Sequence, residues 1–292
     1  MSVPAKPYHT GTYLIFDNDP ARPTKDGNFR SGHGLDPPLR ASGSHQLDAG
    51  MLADVIDRIA NENQEVRRIL VVDLRQESHA FLNDHAVSWC ADKDWSNVGQ
   101  SPAWIARDEQ CQLEKLATSP ETDIFAVRKG TEGEIRVIGT TPLRVISAET
   151  EDMVVKRLQS RLEVSYCRLY VTDHCAPEDD MVRMFLRLLG SIAPPTWVHF
   201  HCHGGDGRTT TFLMMYDMLT TAMARSPVPG PPDLEYFRQR QLQLFHYDVR
   251  PDPTSKRWQL PLSEVRWRLL ESFRRYVFGG YGAGQPWPGL VT

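Results

Sequence analysis

The stretch "VHFHCHGGDGRTTTFLMMYDML", Val198–Leu219, constrains this chain more than any other. An apolar, strand-forming run ends at Cys202, three glycines turn the chain, and Arg208 opens a helix-forming run. Between a strand end and a helix start, a glycine-rich loop can point several backbone N–H groups inward to make an anion nest. Gly204, Gly205 and Gly207 supply the tolerance for unusual backbone angles, with His203 and Asp206 between them. Arg208 adds two parallel donors in a geometry that lysine cannot match. The same positive field favours the thiolate of Cys202. A thiolate held against a bound phosphate can attack phosphorus to give a cysteinyl-phosphate, while the loop's fixed donors stabilise the transition state. Cysteine is commonly buried and inert, and a Cys and an Arg six apart occur by chance. The strand, the three glycines and the trailing threonine make that explanation poor here.

Such a reaction also needs an acid to protonate the leaving oxygen. Asp173, in "RLYVTDHCAPEDD" (Arg168–Asp180), follows an expected strand and opens a loop. From there it can reach over a neighbouring strand's loop and later serve as base toward water. Thr209 can donate to the departing thiolate in that second step. For His201, orientation of the nucleophile's loop and ordinary structural hydrogen bonding are both open readings.

The rest of the chain reads as α/β, a mostly parallel sheet flanked by helices. Residues 1 to about 50, rich in Pro, Gly and Asp, read as an extended arm with the strand-like Thr12–Phe16. A helix is expected over Ala49–Asn61, a buried strand over Arg67–Arg75, and a hairpin over Ile124–Gly139 around a Gly-Thr-Glu-Gly turn. Helices over Thr150–Leu162, Pro177–Leu189 and Arg208–Ala224 then alternate with strands over Tyr166–Val171 and Trp197–His201. The proline-rich Arg225–Asp233 leads to two more helices, near Leu234–Phe245 and Leu262–Phe278. This divides the chain into a first part of one catalytic domain (1–92), a small β-rich insertion (93–147) and the remainder of that domain (148–292), with the catalytic loop at 201–209.

A formal charge of −4 gives no support to nucleic-acid wrapping, so affinity for a polyanion must come from a local cluster of cations. No apolar run is long enough to span a bilayer. The N-terminus lacks the pattern of a secretory signal, as in a cytosolic protein or a mature exported one. Five irregularly spaced cysteines (Cys90, Cys111, Cys167, Cys175 and Cys202) carry no zinc-ligand pattern. Neither a metal nor a cofactor is expected, and nothing points to a protein partner.

The motifs occur in an order that resembles the bacterial protein-tyrosine-phosphatase-like inositol phosphatases, or PTP-like phytases. They are "NFR" (Asn28–Arg30), "LRASGSHQL" (Leu39–Leu47), "VVDLRQESHAFLN…AVSW" (Val71–Trp89), "VTDH" (Val171–His174) and "HFHCHGGDGRTTTF". The resemblance implies that family's fold, with an inserted partial barrel, and stepwise, metal-independent dephosphorylation of myo-inositol hexakisphosphate and lower inositol phosphates. It assigns nucleophile, phosphate-binding arginine and general acid to Cys202, Arg208 and Asp173. It also places His174, His203, Arg30, Arg40, Arg75 and Lys256 near the substrate phosphates, with Arg257 an alternative to Lys256. Export of a bacterial enzyme fits the family's usual occurrence. A protein phosphatase, such as a bacterial effector, is the competing reading, and a phosphate-binding module without catalysis a weaker third. Cys175, two residues past Asp173, raises the further possibility of a reversible disulfide with Cys202.

Overall fold

The computed structural model describes residues 12–18, 27–224, 230–279 and 284–290. The chain order is β1 (Tyr13–Phe16), β2 (Arg30–Ser31), β3 (Ala41–His45), α1 (Ala49–Glu62), β4 (Arg68–Arg75), β5 (His79–Leu82), β6 (His85–Cys90) and α2 (Pro102–Ala117). There follow β7 (Glu121–Lys129), β8 (Ile135–Arg144), β9 (Ala148–Glu149), α3 (Glu151–Arg157), β10 (Glu163–Val171), α4 (Asp179–Ser191), β11 (Thr196–Cys202), α5 (Gly207–Met223), α6 (Leu234–Leu244) and α7 (Leu260–Gly279). No helix among the described residues is long and apolar enough to cross a membrane.

The central sheet has the order β10-β4-β11-β3-β2, parallel except for the edge strand β2. Strand β11 shows why both of its faces are buried. Side chains alternate along a strand, so Val198, Phe200 and Cys202 point one way and Trp197, His199 and His201 the other. The first set joins the core made with Phe185 of α4, Phe212 of α5, Phe237 of α6 and Phe273 of α7. Trp197 joins Leu52, Ile56 and Ile59 of α1 and Val155 of α3 on the opposite face. Each fully buried apolar side chain of this size contributes roughly 1.5–3 kcal/mol. Helix α5 is buried along every residue from Arg208 to Leu219, so its first turn, which carries Arg208 and Thr209, is set by the core around it.

In register, Cys202 lies opposite His45 of β3, and His201 opposite Asp73 of β4. The carboxyl ends of β3, β4, β10 and β11 therefore finish side by side. The loops after them meet at one edge, the place where parallel sheets offer a binding crevice.

Two departures from the sequence reading have clear causes. The supposed arm contains β3, a strand paired with β11, which ends in Cys202. Its residues, Ala-Ser-Gly-Ser-His, are poor strand formers, yet all five are buried. Two of them hold His199 from β11: Ser42 Oγ lies 2.9 Å from His199 Nδ1, and Ser44 Oγ 3.1 Å from Nε2. Segment 93–147 is not purely β-rich. It opens with the 16-residue α2, capped by Ser101, with Pro102 in its first turn and Ile105, Leu113 and Leu116 inward. Strands β5 and β6 pair with β1 and β9 in a second sheet, β1-β6-β5-β9, so the chain on either side of 93–147 shares one sheet. The β7–β8 hairpin is present, turning at residues 130–134. Parts of the expected arm (1–11, 19–26) and of the proline-rich loop (225–229) lie outside the described residues.

Candidate active site

Cys202 ends β11 as a buried side chain, and Thr209 Oγ1 donates to its sulfur at 3.1 Å. The loop then turns through Gly205, whose φ of +76° suits glycine; a Cβ there would sit 2.6 Å from the His45 backbone nitrogen. Gly207 matters by proximity, since its Cβ would lie 2.6 Å from Arg266 Nη1. Gly204 is different, because its Cβ would meet nothing closer than 3.7 Å. Helix α5 begins at Gly207, so its first-turn N–H groups have no carbonyl within the helix and are available to an anion.

Beneath the loop lies Arg208, 2 % exposed. Glu77, in the loop after β4, grips it with both oxygens: Oε2 lies 2.6 Å from Nη1 and Oε1 2.8 Å from Nη2. Nη1 also donates to the Val171 carbonyl at 3.1 Å. The Nε of Arg208 is buried with no hydrogen-bond partner. A buried donor without an acceptor costs about 1–3 kcal/mol, a cost that a phosphate oxygen would remove. Burial opposes ionisation of Glu77, but Arg208 and Arg75 outweigh it and hold its carboxyl well below the usual range.

Asp173 comes from the loop after β10. Its Oδ1 lies 3.0 Å from Arg208 Nη2 and its Oδ2 3.1 Å from His174 Nε2. Burial lowers the pKa of His174, with Asp173 opposing. Cys202, Asp173, His174, His203, Gly204, Asp206 and Gly207 border one cavity of about 860 Å³. Its walls also carry Lys93, Lys129, His246, Arg250, Lys256 and Arg266.

With this geometry in view, the relatives can be placed. The PTP-like phytase family, described as "Inositol hexakisphosphate", matches residues 72–220, just over half the chain. A PTP-like phytase from Bdellovibrio bacteriovorus is 31% identical, with a TM-score of 0.73, over 98% of this chain and 96% of that one. The chain belongs to the PTP-like phytase family. A PTP-like myo-inositol phosphatase from Mitsuokella multacida, solved with myo-inositol-(1,3,4,5)-tetrakisphosphate, has a TM-score of 0.77 at 24% identity, over 97% of this chain and 49% of that one. Effector protein hopD2 of Pseudomonas syringae pv. tomato is 27% identical over 72% of this chain. The chain spans 42% of the length of hopD2.

The α/β fold is that of the PTP-like phytases, and among the residues expected to bind substrate the structure separates two groups. His174, His203, Gly204, Asp206, Gly207 and Lys256 reach the cavity, while Arg257 is absent from its lining. Three arginines are placed otherwise. Arg40 precedes β3 at the far end of the sheet, where its carbonyl accepts from Val198; five residues of strand put it roughly 16 Å from the loop. Its half-exposed side chain faces Glu65 at 3.9 Å. Arg75 is fully buried and held by Glu77, Asp17, Gln46 and Ser88. Arg30 braces the loop from outside: Nη2 donates to the Gly205 carbonyl at 2.7 Å and to Thr210 Oγ1 at 3.0 Å, and its guanidinium rests 4.5 Å from the centre of the Phe245 ring. Burial pulls its pKa down to about 10, so it stays a cation at neutral pH. His201 faces away from the cavity side of the sheet, its Nε2 3.0 Å from Glu151.

Several contributors escaped the sequence reading. Glu77 was visible only as part of "DLRQESH", and its charge gave no hint that it would bind an arginine 131 residues away. Asp94 and Lys129, paired at 2.6 Å, bring the hairpin to the cavity wall. The one metal-like grouping among the described residues, Asp73, Glu151 and His201, has its ligand atoms within 4.8 Å of each other. It is already compensated by cations: His79 Nε2 lies 3.2 Å from Asp73 and 3.3 Å from Glu151, and Arg168 Nε 3.1 Å from Asp73. All five cysteines are free, and burial pushes the Cys175 thiol up to about 11, which disfavours the thiolate that disulfide formation needs.

Proposed function

We propose that this chain is a cysteine-dependent phosphatase that removes phosphates, stepwise and without a metal ion, from myo-inositol hexakisphosphate and lower inositol polyphosphates. The observation that carries this reading is that Cys202 and Asp173, with Arg208 3.0 Å from Asp173, border a wide cavity whose walls bear lysine, histidine and arginine. A ring with many phosphates needs a cation or donor for each of them, whereas a single aryl phosphate needs a narrow slot.

The chemistry follows from the geometry. A substrate phosphate enters the loop, and its oxygens take the N–H groups of the first turn of α5 and the unpartnered Nε of Arg208. The Cys202 thiolate attacks phosphorus, the bond from phosphorus to the inositol oxygen breaks, and Asp173 delivers its proton to that oxygen. Water then attacks the cysteinyl-phosphate and gives a proton to the Asp173 carboxylate. The electrons of the S–P bond return to sulfur, where the Thr209 hydroxyl already donates. His203, Lys256 and Lys129 are among the wall residues that would meet the phosphates that are not reacting.

Similarity to hopD2 favours a second reading, a tyrosine or dual-specificity protein phosphatase delivered as a bacterial effector. Turnover of inositol hexakisphosphate against a phosphotyrosine peptide, with chelator throughout, separates the two. Faster turnover of the inositol phosphate, retained in chelator and abolished by Cys202→Ser, is expected. A preference for the peptide by orders of magnitude would overturn the first reading, and a metal requirement the mechanism.

A further inference from the structure

The loop bearing Asp173 is held by an aromatic pair from two distant segments. Trp95, in the turn after β6, donates its Nε1–H to the Asp173 backbone carbonyl at 3.0 Å. Trp258, in the segment before α7, packs its ring edge-to-face on His174, with centroids 4.8 Å apart at 84°. The two indoles meet each other at 6.1 Å and 89°, and Lys93 Nζ lies 5.0 Å from each ring. Trp258 Nε1 donates to the Thr131 carbonyl at 3.0 Å, which ties this pair to the turn of the β7–β8 hairpin. Gln259 Nε2 stands 3.3 Å from His174 Nδ1.

These contacts fall where the backbone most needs support. His174 has a φ of +64°, a left-handed conformation that a residue with a side chain holds only when its surroundings impose it. A hydrogen bond to the Asp173 carbonyl fixes the peptide plane between 173 and 174. The ring contact then fixes His174 beyond it. Together they set where the Asp173 side chain starts and which way it points, toward Arg208.

We infer that Trp95 and Trp258 are positioning residues for the general acid, an assignment that rests on the role proposed above for Asp173. Trp95 gives the cleaner test, since Trp258 lines the cavity and Trp95 does not. A proton donor matters for a poor leaving group such as an inositol oxygen and little for a good one such as 4-nitrophenolate. A displaced acid therefore betrays itself in kcat/KM, which reports formation of the cysteinyl-phosphate and not its hydrolysis, as a loss confined to the poor leaving group.

The experiment measures kcat and KM of Trp95→Phe, which keeps the ring and loses the donor, on inositol hexakisphosphate and on 4-nitrophenyl phosphate. The expected result is a fall of about ten-fold in kcat/KM on the inositol phosphate and a change within about two-fold in kcat/KM on the aryl ester. Equal losses on both substrates, or no loss on either, overturn the inference. Should Trp95→Phe not fold, Trp258→Leu, which removes the ring contact with His174, must show the same selective loss; a uniform loss overturns the inference equally. Asp173→Asn is run alongside. If it lacks the leaving-group signature, both the role of Asp173 and this inference fall. If it has the signature and the tryptophan variant does not, this inference alone falls.

Discussion

Asp173 Oδ1 lies 3.0 Å from Arg208 Nη2, on the guanidinium that would receive a phosphate oxygen. The proposed acid thus occupies part of the proposed anion site. Glu77 is buried and grips both Nη groups of Arg208, whereas Asp173 borders the cavity, so the Asp173 contact is the exchangeable one. Binding of a phosphate would push the Asp173 carboxyl off Arg208 and toward the leaving oxygen.

Asp173→Asn should therefore have two opposite effects. The first chemical step on inositol phosphates should fall by about 10²-fold or more, as expected on losing general acid catalysis. Inorganic phosphate should bind more tightly, by a few-fold, because a competing carboxylate has left Arg208. Inhibition by phosphate and single-turnover rates measure both. Unchanged phosphate affinity would show that the Asp173–Arg208 contact carries no weight in solution.

Glu77→Gln removes the partner of two buried arginines, Arg208 and Arg75. Breaking a buried pair from one side costs about 3–5 kcal/mol. The melting temperature should drop by several degrees and turnover should collapse, since Arg208 loses the group that orients it. Denaturant unfolding and kcat test this, and a variant that stays both stable and active contradicts it.

Stability should depend on pH at both ends. Glu77 ordinarily titrates near 4.5; burial would raise this, but Arg208 and Arg75 hold it lower. Its contribution is present above that ordinary value and is lost as pH falls below it. His79 runs the other way: burial would lower its pKa, but Asp73 raises it from 6.5 to about 9. Its contribution is full below 6.5 and is lost as pH rises through 9. Melting temperature against pH should form a plateau between roughly 5 and 6.5, with His79→Gln flattening the alkaline side.

Gly205→Ala should destroy the loop while leaving the sheet intact. The new methyl group would sit 2.6 Å from the His45 nitrogen and 2.8 Å from the Ser44 carbonyl carbon, at a φ that alanine avoids. Activity should be lost with near-native circular dichroism. Gly204→Ala, with open space around its Cβ, should retain more activity, and the reverse order would refute this reading of the loop.

The elements legible from sequence were those with short-range signals. Helix α1 follows from an apolar stripe, strands β4 and β11 from continuous apolar runs, and the β7–β8 hairpin from two alternating runs around a glycine-bounded turn. Strand β3 has no such signal, because its place in the sheet rests on hydroxyls and small side chains fitted against His199. Helix α2 carries one, a serine and a proline ahead of Ile105, but lies in a segment whose alternating hairpin gives the stronger β signal.

The amino-acid sequence by itself determined the candidate catalytic loop, since cysteine, three glycines, arginine and threonine lie within eight residues and their geometry is local. It also determined the candidate acid and the order of motifs that marks the family. Only the tertiary structure decided which charges serve the site. Arg30, Arg40 and Arg75 are the same residue type in similar polar surroundings along the chain, yet one braces the loop, one lies at the far end of the sheet, and one is locked among Asp17, Gln46, Glu77 and Ser88. A charge acts on whatever stands within a few ångströms, and those neighbours come from strand register and helix packing rather than from adjacency along the chain.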